Sequence, residues 1–228
     1  MESTRSRIGG NDVRTLSVRY SCPEWIVKSF INDYGEENAV ELLSQSLKTP
    51  PVTVRVNTVR TTPERLIKIL EENNVKAAGT ETENALTISI TGDITALLPY
   101  KEGLFHIQDT ASQTAAAVLA PKSGDHVLDM CAAPGGKSFT LAEIMENKGE
   151  ITACDLYEQR VGLIKKGAER LGLDIIKPVC ADASVFNPEF GQFDCILCDV
   201  PCSGLGVLRR KPDIKYRMPE DLSALAEL

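Results

Sequence analysis

The sequence predicts an α/β protein in which a small α+β domain precedes a doubly wound, Rossmann-like parallel sheet. Beyond residue 120, short apolar segments alternate with helical patterns, which is typical of parallel strands covered by helices. The first of these segments runs into a glycine-containing loop, and later ones end at or just before an aspartate. Before residue 109, a strand–helix–strand pattern indicates a separate, compact α+β unit.

The N-terminal part of the chain is predicted to hold a tail and this small domain. Residues 1–20 are polar and show no hydrophobic period, so we predict a flexible tail or linker. The small domain is predicted to span residues 21–108. Pro23 suits the first position of a helix, and Thr61 with Glu64 has the spacing of a capping box. The predicted helices are 23–30, 36–47 and 61–74, and the predicted strands are 52–57, 85–90 and 103–108.

The parallel sheet is predicted within a second domain, residues 109–228. Asp109 has a side chain suited to capping the first helix of this domain. The predicted strands are 125–129, 150–155, 175–180 and 193–199, and the predicted helices are 110–119, 157–171 and one beginning near Phe139.

The composition is that of an ordinary globular protein. Of its 228 residues, 43% are hydrophobic and 25% are charged, and no apolar run approaches the length of a membrane span. The N-terminus lacks the apolar segment of a secretory signal, and an odd number of cysteines, seven, argues against a disulfide framework. We therefore expect a cytoplasmic protein with reduced thiols and no membrane partner. The net charge of −7 argues against a protein whose whole surface binds polyanions. Basic residues nevertheless concentrate at 5–19 and 209–217, so a local basic patch remains an alternative.

The stretch from His126 to Ser138 organises the second domain. An apolar strand reaches Asp129, and small residues, a proline and two glycines follow before a helical pattern begins. Glycines at such a turn let the backbone approach a nucleotide-like ligand, and the helix N-terminus adds backbone N–H groups. The candidate ligand-binding residues of this loop are Cys131, Ala132, Ala133, Pro134, Gly135, Gly136 and Lys137.

Other nucleotide-binding loops fit this stretch less well. A dinucleotide-binding loop needs Gly-x-Gly-x-x-Gly, whereas this loop reads Cys-Ala-Ala-Pro-Gly-Gly. A P-loop needs a glycine where Cys131 stands, although Lys137 and Ser138 match its last two positions. An NTPase therefore stays as an alternative.

Three acids at or just beyond strand ends complete the candidate site: Asp155, Asp182 and Asp199. In a doubly wound sheet the ligand lies outside the carboxyl ends of the strands, so these side chains are expected along one edge. Asp155 is placed to accept hydrogen bonds from ribose hydroxyls, Asp182 to reach a base edge, and Asp199 to reach a cationic amino group. Three carboxylates favour a nucleoside ligand without phosphates over a polyphosphate.

The cysteines around the last predicted strand fall into two groups. Cys195 and Cys198 are three apart in a strand and point to opposite faces, so we expect core residues and no metal site. Cys202 follows this strand in a loop at the ligand edge. The nearby Arg209 and Arg210 make a reactive thiolate an alternative to an inert thiol.

Three motifs resemble those of a known family. They are Asp-Met-Cys-Ala-Ala-Pro-Gly-Gly-Lys-Ser at 129–138, Asp-Val-Pro-Cys-Ser-Gly at 199–204 and Gly-Val-Leu-Arg-Arg-Lys-Pro-Asp-Ile-Lys-Tyr at 206–216. They are similar to motifs of the RsmB-like (Sun-type) RNA cytosine-5 methyltransferases, which modify ribosomal RNA with S-adenosyl-L-methionine. The resemblance runs from about Cys22 to the end of the chain.

This resemblance implies a role for each candidate residue. Residues 131–137 would line the methionine and ribose parts of the cofactor. Asp155 would bind the ribose, Asp182 would lie near the adenine, and Asp199 would lie near the methionine amino group and the target base. Residues from about 22 to 108 would form the family's RNA-binding domain, and the partner would be ribosomal RNA, of the small subunit.

The resemblance also implies a reaction shared by two cysteines. One thiolate attacks carbon 6 of cytosine, which makes carbon 5 nucleophilic toward the methyl group. The second, matched by Cys202, helps break the covalent adduct. The first lies in a Thr-Cys-Ser motif on a later strand, and residues 1–228 contain no such motif.

The absent motif leads to an expectation about this chain. We expect a methyltransferase sheet that is incomplete at its C-terminus, with strand 193–199 as an exposed apolar edge. Such a chain would bind the cofactor poorly or moderately and would not complete methyl transfer. A non-catalytic RNA- or cofactor-binding fragment is the alternative.

Overall fold

The computed structural model describes residues 12–217, which form two compact units. One unit combines residues 12–50 with residues 201–217, and the other spans Pro51–Val200. None of the described helices has both the length and the apolar composition needed to cross a membrane.

The first unit is built on two helices, α1 (Val13–Tyr20) and α2 (Glu24–Gln45). α2 breaks at Gly35, whose φ of 79° and ψ of 164° are not helical, so its two parts correspond to the predicted helices 23–30 and 36–47. Short 3₁₀ helices follow in the C-terminal part, at Leu205–Val207 and Pro212–Tyr216. The core of this unit contains Leu16, Cys22, Ile26, Val27, Phe30, Ala39, Leu43, Leu208 and Ile214.

The prediction of a flexible tail over residues 1–20 is wrong for residues 12–20, which cap and form α1. Asp12 accepts a hydrogen bond from the backbone N–H of Thr15 (3.1 Å), and Leu16 is fully buried. A helix of eight residues with one buried leucine is too short to show a hydrophobic period, so the pattern gave no signal. The rest of the predicted tail, residues 1–11, lies outside the described residues.

The first sheet of the second unit is antiparallel. It contains β1 (Val52–Val56), β2 (Lys76–Gly79), β3 (Ala85–Ser89) and β4 (Phe105–Ile107) in the order β2-β3-β1-β4. Helices α3 (Pro63–Glu72) and α4 (Leu98–Lys101) belong to the same part of the chain. The core beneath this sheet contains Val54, Val56, Leu66, Leu70, Val75, Leu86, Ile88 and Phe105.

Most of this sheet follows the prediction, with two corrections. β2 is missed by sequence reasoning because its Lys-Ala-Ala-Gly sequence has no β-branched or aromatic residue. The N-cap of α3 is Thr62, whose side chain accepts from the Arg65 N–H, so the predicted capping box at Thr61 and Glu64 is shifted by one residue.

The second sheet is parallel, which confirms the predicted α/β class. Its strands are β5 (His126–Asp129), β6 (Glu150–Asp155), β7 (Ile176–Cys180) and β8 (Cys195–Leu197), in the order β7-β6-β5-β8. The accompanying helices are α5 (Thr110–Leu119), α6 (Gly136–Ile144) and α7 (Glu158–Leu171). Asp109 caps α5 as predicted. Among the described residues β8 is an edge strand, and its Ile196 is 52% exposed.

Both sheets lie in the second unit, so the boundary predicted between residues 108 and 109 does not separate compact units. Asn57, directly after β1, is one of the links between the sheets. It is fully buried, and its amide donates to the carbonyls of Gly103 (2.8 Å) and Leu171 (2.9 Å). Leu171 ends α7, where backbone carbonyls lack partners within the helix, so Asn57 satisfies one of them.

We expect Asn57→Ala to destabilise the protein by about 2–4 kcal/mol, because two buried carbonyls lose their donor. Urea denaturation followed by circular dichroism measures this loss. Asn38→Ala is the control, since that exposed amide donates one hydrogen bond, to Tyr34 O on the other side of the break in α2. Its effect should stay within about 0.5 kcal/mol. Equal effects of the two substitutions would contradict this role of Asn57.

Candidate cofactor site

The loop between β5 and α6 folds into a tight turn. The Ala132 N–H donates to Cys154 O on the neighbouring strand, and the Gly135 N–H donates to Ala132 O, both at 2.7 Å. Gly135 has a φ of 111°, and a Cβ built on it would lie 2.3 Å from Cζ of Phe139. A glycine is therefore required here by both the backbone conformation and the packing of α6.

Asp155 at the end of β6 holds this loop from the next strand. One carboxylate oxygen, Oδ2, accepts from the Ala133 N–H (3.3 Å), and the other, Oδ1, accepts from the Tyr157 N–H (3.3 Å). The side chain is buried. A carboxylate offers about four acceptor positions, so Asp155 retains room for one further donor, such as a ribose hydroxyl.

Arg160 strengthens the same connection, and sequence reasoning misses it. Its Nη2 donates to Ala133 O (3.0 Å) and lies 3.4 Å from Oδ2 of Asp155. A cation in the first turn of α7 opposes the helix dipole, which favours negative charge at that end. That mismatch is the signal by which the sequence could have pointed to Arg160.

Asp129 is a second site residue that the predicted set does not include. It ends β5, is almost fully buried, and accepts a hydrogen bond from Ser138 Oγ at 2.6 Å through Oδ2. Its other oxygen, Oδ1, is buried and has no hydrogen-bond partner among the described residues. Burial raises the pKa of this carboxyl to about 6 against the opposing effects of Ser138 and Lys137.

Lys137 and Asp199 are brought together by the fold. Nζ of Lys137 lies 2.5 Å from Oδ2 of Asp199, which joins the start of α6 to the segment after β8. The Asp199 side chain is about half exposed, so it is open to a ligand on its other side. Asp199 was predicted to bind a cationic amino group of the ligand. In this structure the ammonium group of Lys137 occupies one side of that carboxylate.

Asp182 lies in the loop after β7 and is exposed. Its Oδ1 accepts from the backbone N–H of Ser184 (2.9 Å) and from the Ser184 hydroxyl (2.7 Å). These hydrogen bonds lower the pKa of the carboxyl, so it is ionised at neutral pH. The Ala181 N–H donates to Asp155 O (3.1 Å), which fixes the start of this loop beside the end of β6.

The cysteines near the site differ in environment. Cys131 in the loop is partly buried, and burial together with neighbouring negative groups raises the pKa of its thiol. Cys154 beneath the loop is buried, which raises its pKa to about 11. Both environments disfavour the thiolate, which is the nucleophilic form of cysteine.

The prediction that Cys195 and Cys198 are both core residues is half right. Cys195 packs against the core of the parallel sheet, but Cys198 is exposed because β8 ends at Leu197. Cys202 is exposed, as expected of a loop thiol. Within residues 12–217, no three His, Cys, Asp or Glu side chains are grouped as metal ligands.

The basic run at 209–217 is only partly available to a ligand. Arg209 donates to the carbonyls of Lys48 (3.1 Å) and Thr49 (2.8 Å), and buried Lys215 donates to Tyr20 O (3.4 Å). These side chains hold the first unit together. The exposed charges of the run include those of Arg210 and Lys211.

The arrangement suits a cationic nucleoside with hydroxyl groups. Asp155 has an open acceptor position, Asp199 is half exposed, and Oδ1 of Asp129 is a buried acceptor without a partner. The N-terminus of α6 adds backbone N–H groups that suit a ligand carboxylate. A parallel sheet with this loop and these strand-end acids has the Rossmann-like fold of the methyltransferase class.

Comparison with known proteins gives the family. The family described as 16S rRNA methyltransferase RsmB/F matches residues 116–228, and its ferredoxin-like domain (RsmF/B-like) matches residues 22–95. The chain therefore belongs to the RsmB/Sun-type family of ribosomal RNA methyltransferases. S-adenosyl-L-methionine is the cofactor of this class of enzyme.

Individual relatives agree with this assignment. A probable ribosomal RNA small subunit methyltransferase B of Bacillus subtilis is 42% identical over 220 residues, which cover 95% of this chain and 49% of the relative. A ribosomal RNA small subunit methyltransferase B of Shewanella oneidensis is 35% identical over 221 residues, which cover 96% of this chain and 50% of the relative. A methyltransferase homologue from Pyrococcus horikoshii superposes with a TM-score of 0.78 at 26% identity, covering 93% of this chain and 68% of that one. The chain spans about half the length of the curated relatives it matches.

We expect Gly135→Ala to abolish cofactor binding and to lower stability, because the new Cβ requires both a strained φ and a displaced Phe139 ring. Isothermal titration with S-adenosylhomocysteine and urea denaturation measure the two effects. Gly162→Ala in α7 is the matched control, since a Cβ there meets no atom within 4 Å. It should bind normally and gain about 0.5–1 kcal/mol in stability. Normal affinity of Gly135→Ala would contradict the described role of the turn.

The raised pKa of Asp129 makes stability depend on pH. The folded state holds this proton more tightly than the unfolded chain, so stability falls as pH rises from about 4 to about 6. Asp129→Asn removes this dependence and keeps an acceptor for Ser138. From pH 4 to pH 7 the stability of Asp129→Asn relative to the unmodified protein should rise by about 2 kcal/mol. Urea titrations at both pH values test this, and a difference that does not change with pH would refute it.

Proposed function

We propose that this protein methylates carbon 5 of a cytosine in small-subunit ribosomal RNA, with S-adenosyl-L-methionine as the methyl donor. One observation carries the proposal: the cofactor loop occurs together with an Asp-Val-Pro-Cys-Ser-Gly segment whose Cys202 is exposed. The names of the Bacillus and Shewanella relatives, which are small-subunit methyltransferases, support the choice of RNA.

In this proposal the cofactor lies across the carboxyl ends of β5, β6 and β7. Residues 131–137 line its methionine and ribose, and Asp155 uses its open acceptor position for a ribose hydroxyl. Asp182 lies near the adenine. Asp199 binds the methionine amino group. This group either replaces Lys137 as the cationic partner of Asp199 or binds beside it.

The proposed chemistry needs two thiols. A thiolate forms a bond to carbon 6 of cytosine, and carbon 5 then takes the methyl group as the sulfur–methyl bond of the cofactor breaks. Loss of the proton from carbon 5 and cleavage of the sulfur–carbon 6 bond release methylated RNA. We assign Cys202 to this release step. The attacking thiolate belongs to the Thr-Cys-Ser motif, which is not among these 228 residues.

The ferredoxin-like region is the proposed RNA-binding part, together with the exposed end of the basic run. Arg210 and Lys211 are exposed, and contacts of such side chains with phosphates weaken as salt rises. Arg209 and Lys215 are less suited to this role because they hydrogen-bond to backbone carbonyls.

We expect residues 1–228 alone to transfer no methyl group to ribosomal RNA, and a chimaera that continues into the C-terminal half of the Bacillus relative to produce 5-methylcytosine. In the chimaera, Cys202→Ala should accumulate a denaturant-resistant protein–RNA adduct, because release slows by about 10²-fold or more. Radiolabelled methyl transfer, nucleoside analysis and denaturing gels measure these outcomes.

Cys198→Ala in the same chimaera is the matched control, because Cys198 is also exposed and lies near in sequence. It should turn over like the unmodified chimaera. A methyl group on any atom other than carbon 5 would refute the proposed reaction. Normal turnover of Cys202→Ala without adduct would refute the role of Cys202.

A further inference from the structure

The antiparallel sheet has a buried polar face as well as a buried apolar one. Side chains of β1 alternate, so Val54 and Val56 enter the core of that sheet while Arg55 points to the opposite face. Arg55 is nevertheless 5% exposed, and His106, its partner in the β1–β4 register, is 3% exposed. This polar face is covered by the helices of the parallel sheet.

The covering contact is an ion pair with α6. Arg55 Nε donates to Oε2 of Glu143 at 2.5 Å, with side-chain exposures of 6% and 0%. Nε2 of His106 lies 3.3 Å from the other carboxylate oxygen of Glu143, and Nη1 of Arg55 reaches Oε1 of Gln113 at 3.4 Å. A charge in this position is fully desolvated, so each partner depends on the other.

A second polar contact joins the same face to α6 nearer the cofactor loop. Thr140 Oγ1 donates to Oε1 of Gln108, just beyond β4, at 2.7 Å. Phe139, directly before Thr140, packs edge-on to the His106 ring, with centroids 5.5 Å apart. Phe139 is also the ring that fills the space above Gly135. The helix that begins at the cofactor loop is therefore held, turn by turn, by the antiparallel sheet.

Stability alone does not explain such a pair. Replacing a buried ion pair by apolar residues of similar volume is often neutral or stabilising, whereas the pair fixes one geometry. Here the fixed geometry is that of α6, whose first residues follow directly from the loop at 131–135.

We propose that Arg55 and Glu143 are positioning residues for the cofactor. Their ion pair sets the place of α6 on the antiparallel sheet and, through α6, the shape of the loop that binds S-adenosyl-L-methionine. The inference rests on the proposed placement of the cofactor at this loop. It gives the ferredoxin-like region a role in cofactor binding in addition to its proposed contact with RNA.

The test is the double substitution Arg55→Met with Glu143→Leu, measured by titration with S-adenosylhomocysteine and by urea denaturation of the 228-residue chain. We expect unchanged or higher stability with affinity weakened by roughly tenfold. Thr140→Val, which loses the hydrogen bonds of Oγ1 to Gln108 and to Gly136 O but keeps the ion pair, should weaken affinity by a smaller factor. Arg55→Lys, which keeps the charge, should bind more tightly than the double variant.

The control is Lys148→Met with Glu146→Leu, an exposed ion pair in the turn after α6. It should leave both affinity and stability unchanged. Wild-type affinity in a folded double variant or in folded Thr140→Val would overturn the inference, because the contacts would then serve folding alone. If the unmodified chain itself binds no S-adenosylhomocysteine, the cofactor placement fails, and with it this inference. Asp155→Asn separates the cases, since it should lose affinity whether or not the ion pair has a positioning role.

Discussion

The structure depends on one constraint, which is that the chain between β5 and α6 must turn without room for a Cβ. Gly135 adopts a positive φ directly beneath the Phe139 ring, and hydrogen bonds to Cys154 O and Asp155 fix the turn against β6. Because this turn has few large side chains, the proposed cofactor site is lined by backbone groups and carboxylates rather than by bulky groups. Arg160 completes the arrangement by binding both the turn and Asp155.

The antiparallel sheet is more than an appended domain, because its polar face covers helices of the parallel sheet. Asn57 satisfies carbonyls at Gly103 and at the end of α7, and Arg55 pairs with Glu143 of α6. Both side chains come from one short segment, and both point away from the apolar core of their own sheet. The two sheets are thus connected through a buried polar interface within one compact unit.

Local sequence patterns predicted much of this architecture. The predictions that failed have identifiable physical causes. The parallel strands and Asp109 cap follow from apolar segments and capping chemistry, which act within a few residues. α1 and β2 were missed because a single buried leucine and a Lys-Ala-Ala-Gly edge strand carry no periodic signal. The domain boundary at residue 108 was placed by a change of pattern, whereas compactness depends on contacts between residues far apart in sequence.

The sequence by itself determined the family, the parallel sheet, the glycine turn and the acids at strand ends, because each is written in neighbouring residues. Only the tertiary structure decided how these groups are used. Tertiary packing buries Asp129, which raises its pKa to about 6, and pairs Lys137 with Asp199. It also directs Arg209 and Lys215 to hydrogen bonds with backbone carbonyls. The physical reason is that desolvation and ion pairing depend on what packs against a side chain, and those partners lie tens of residues away in the chain.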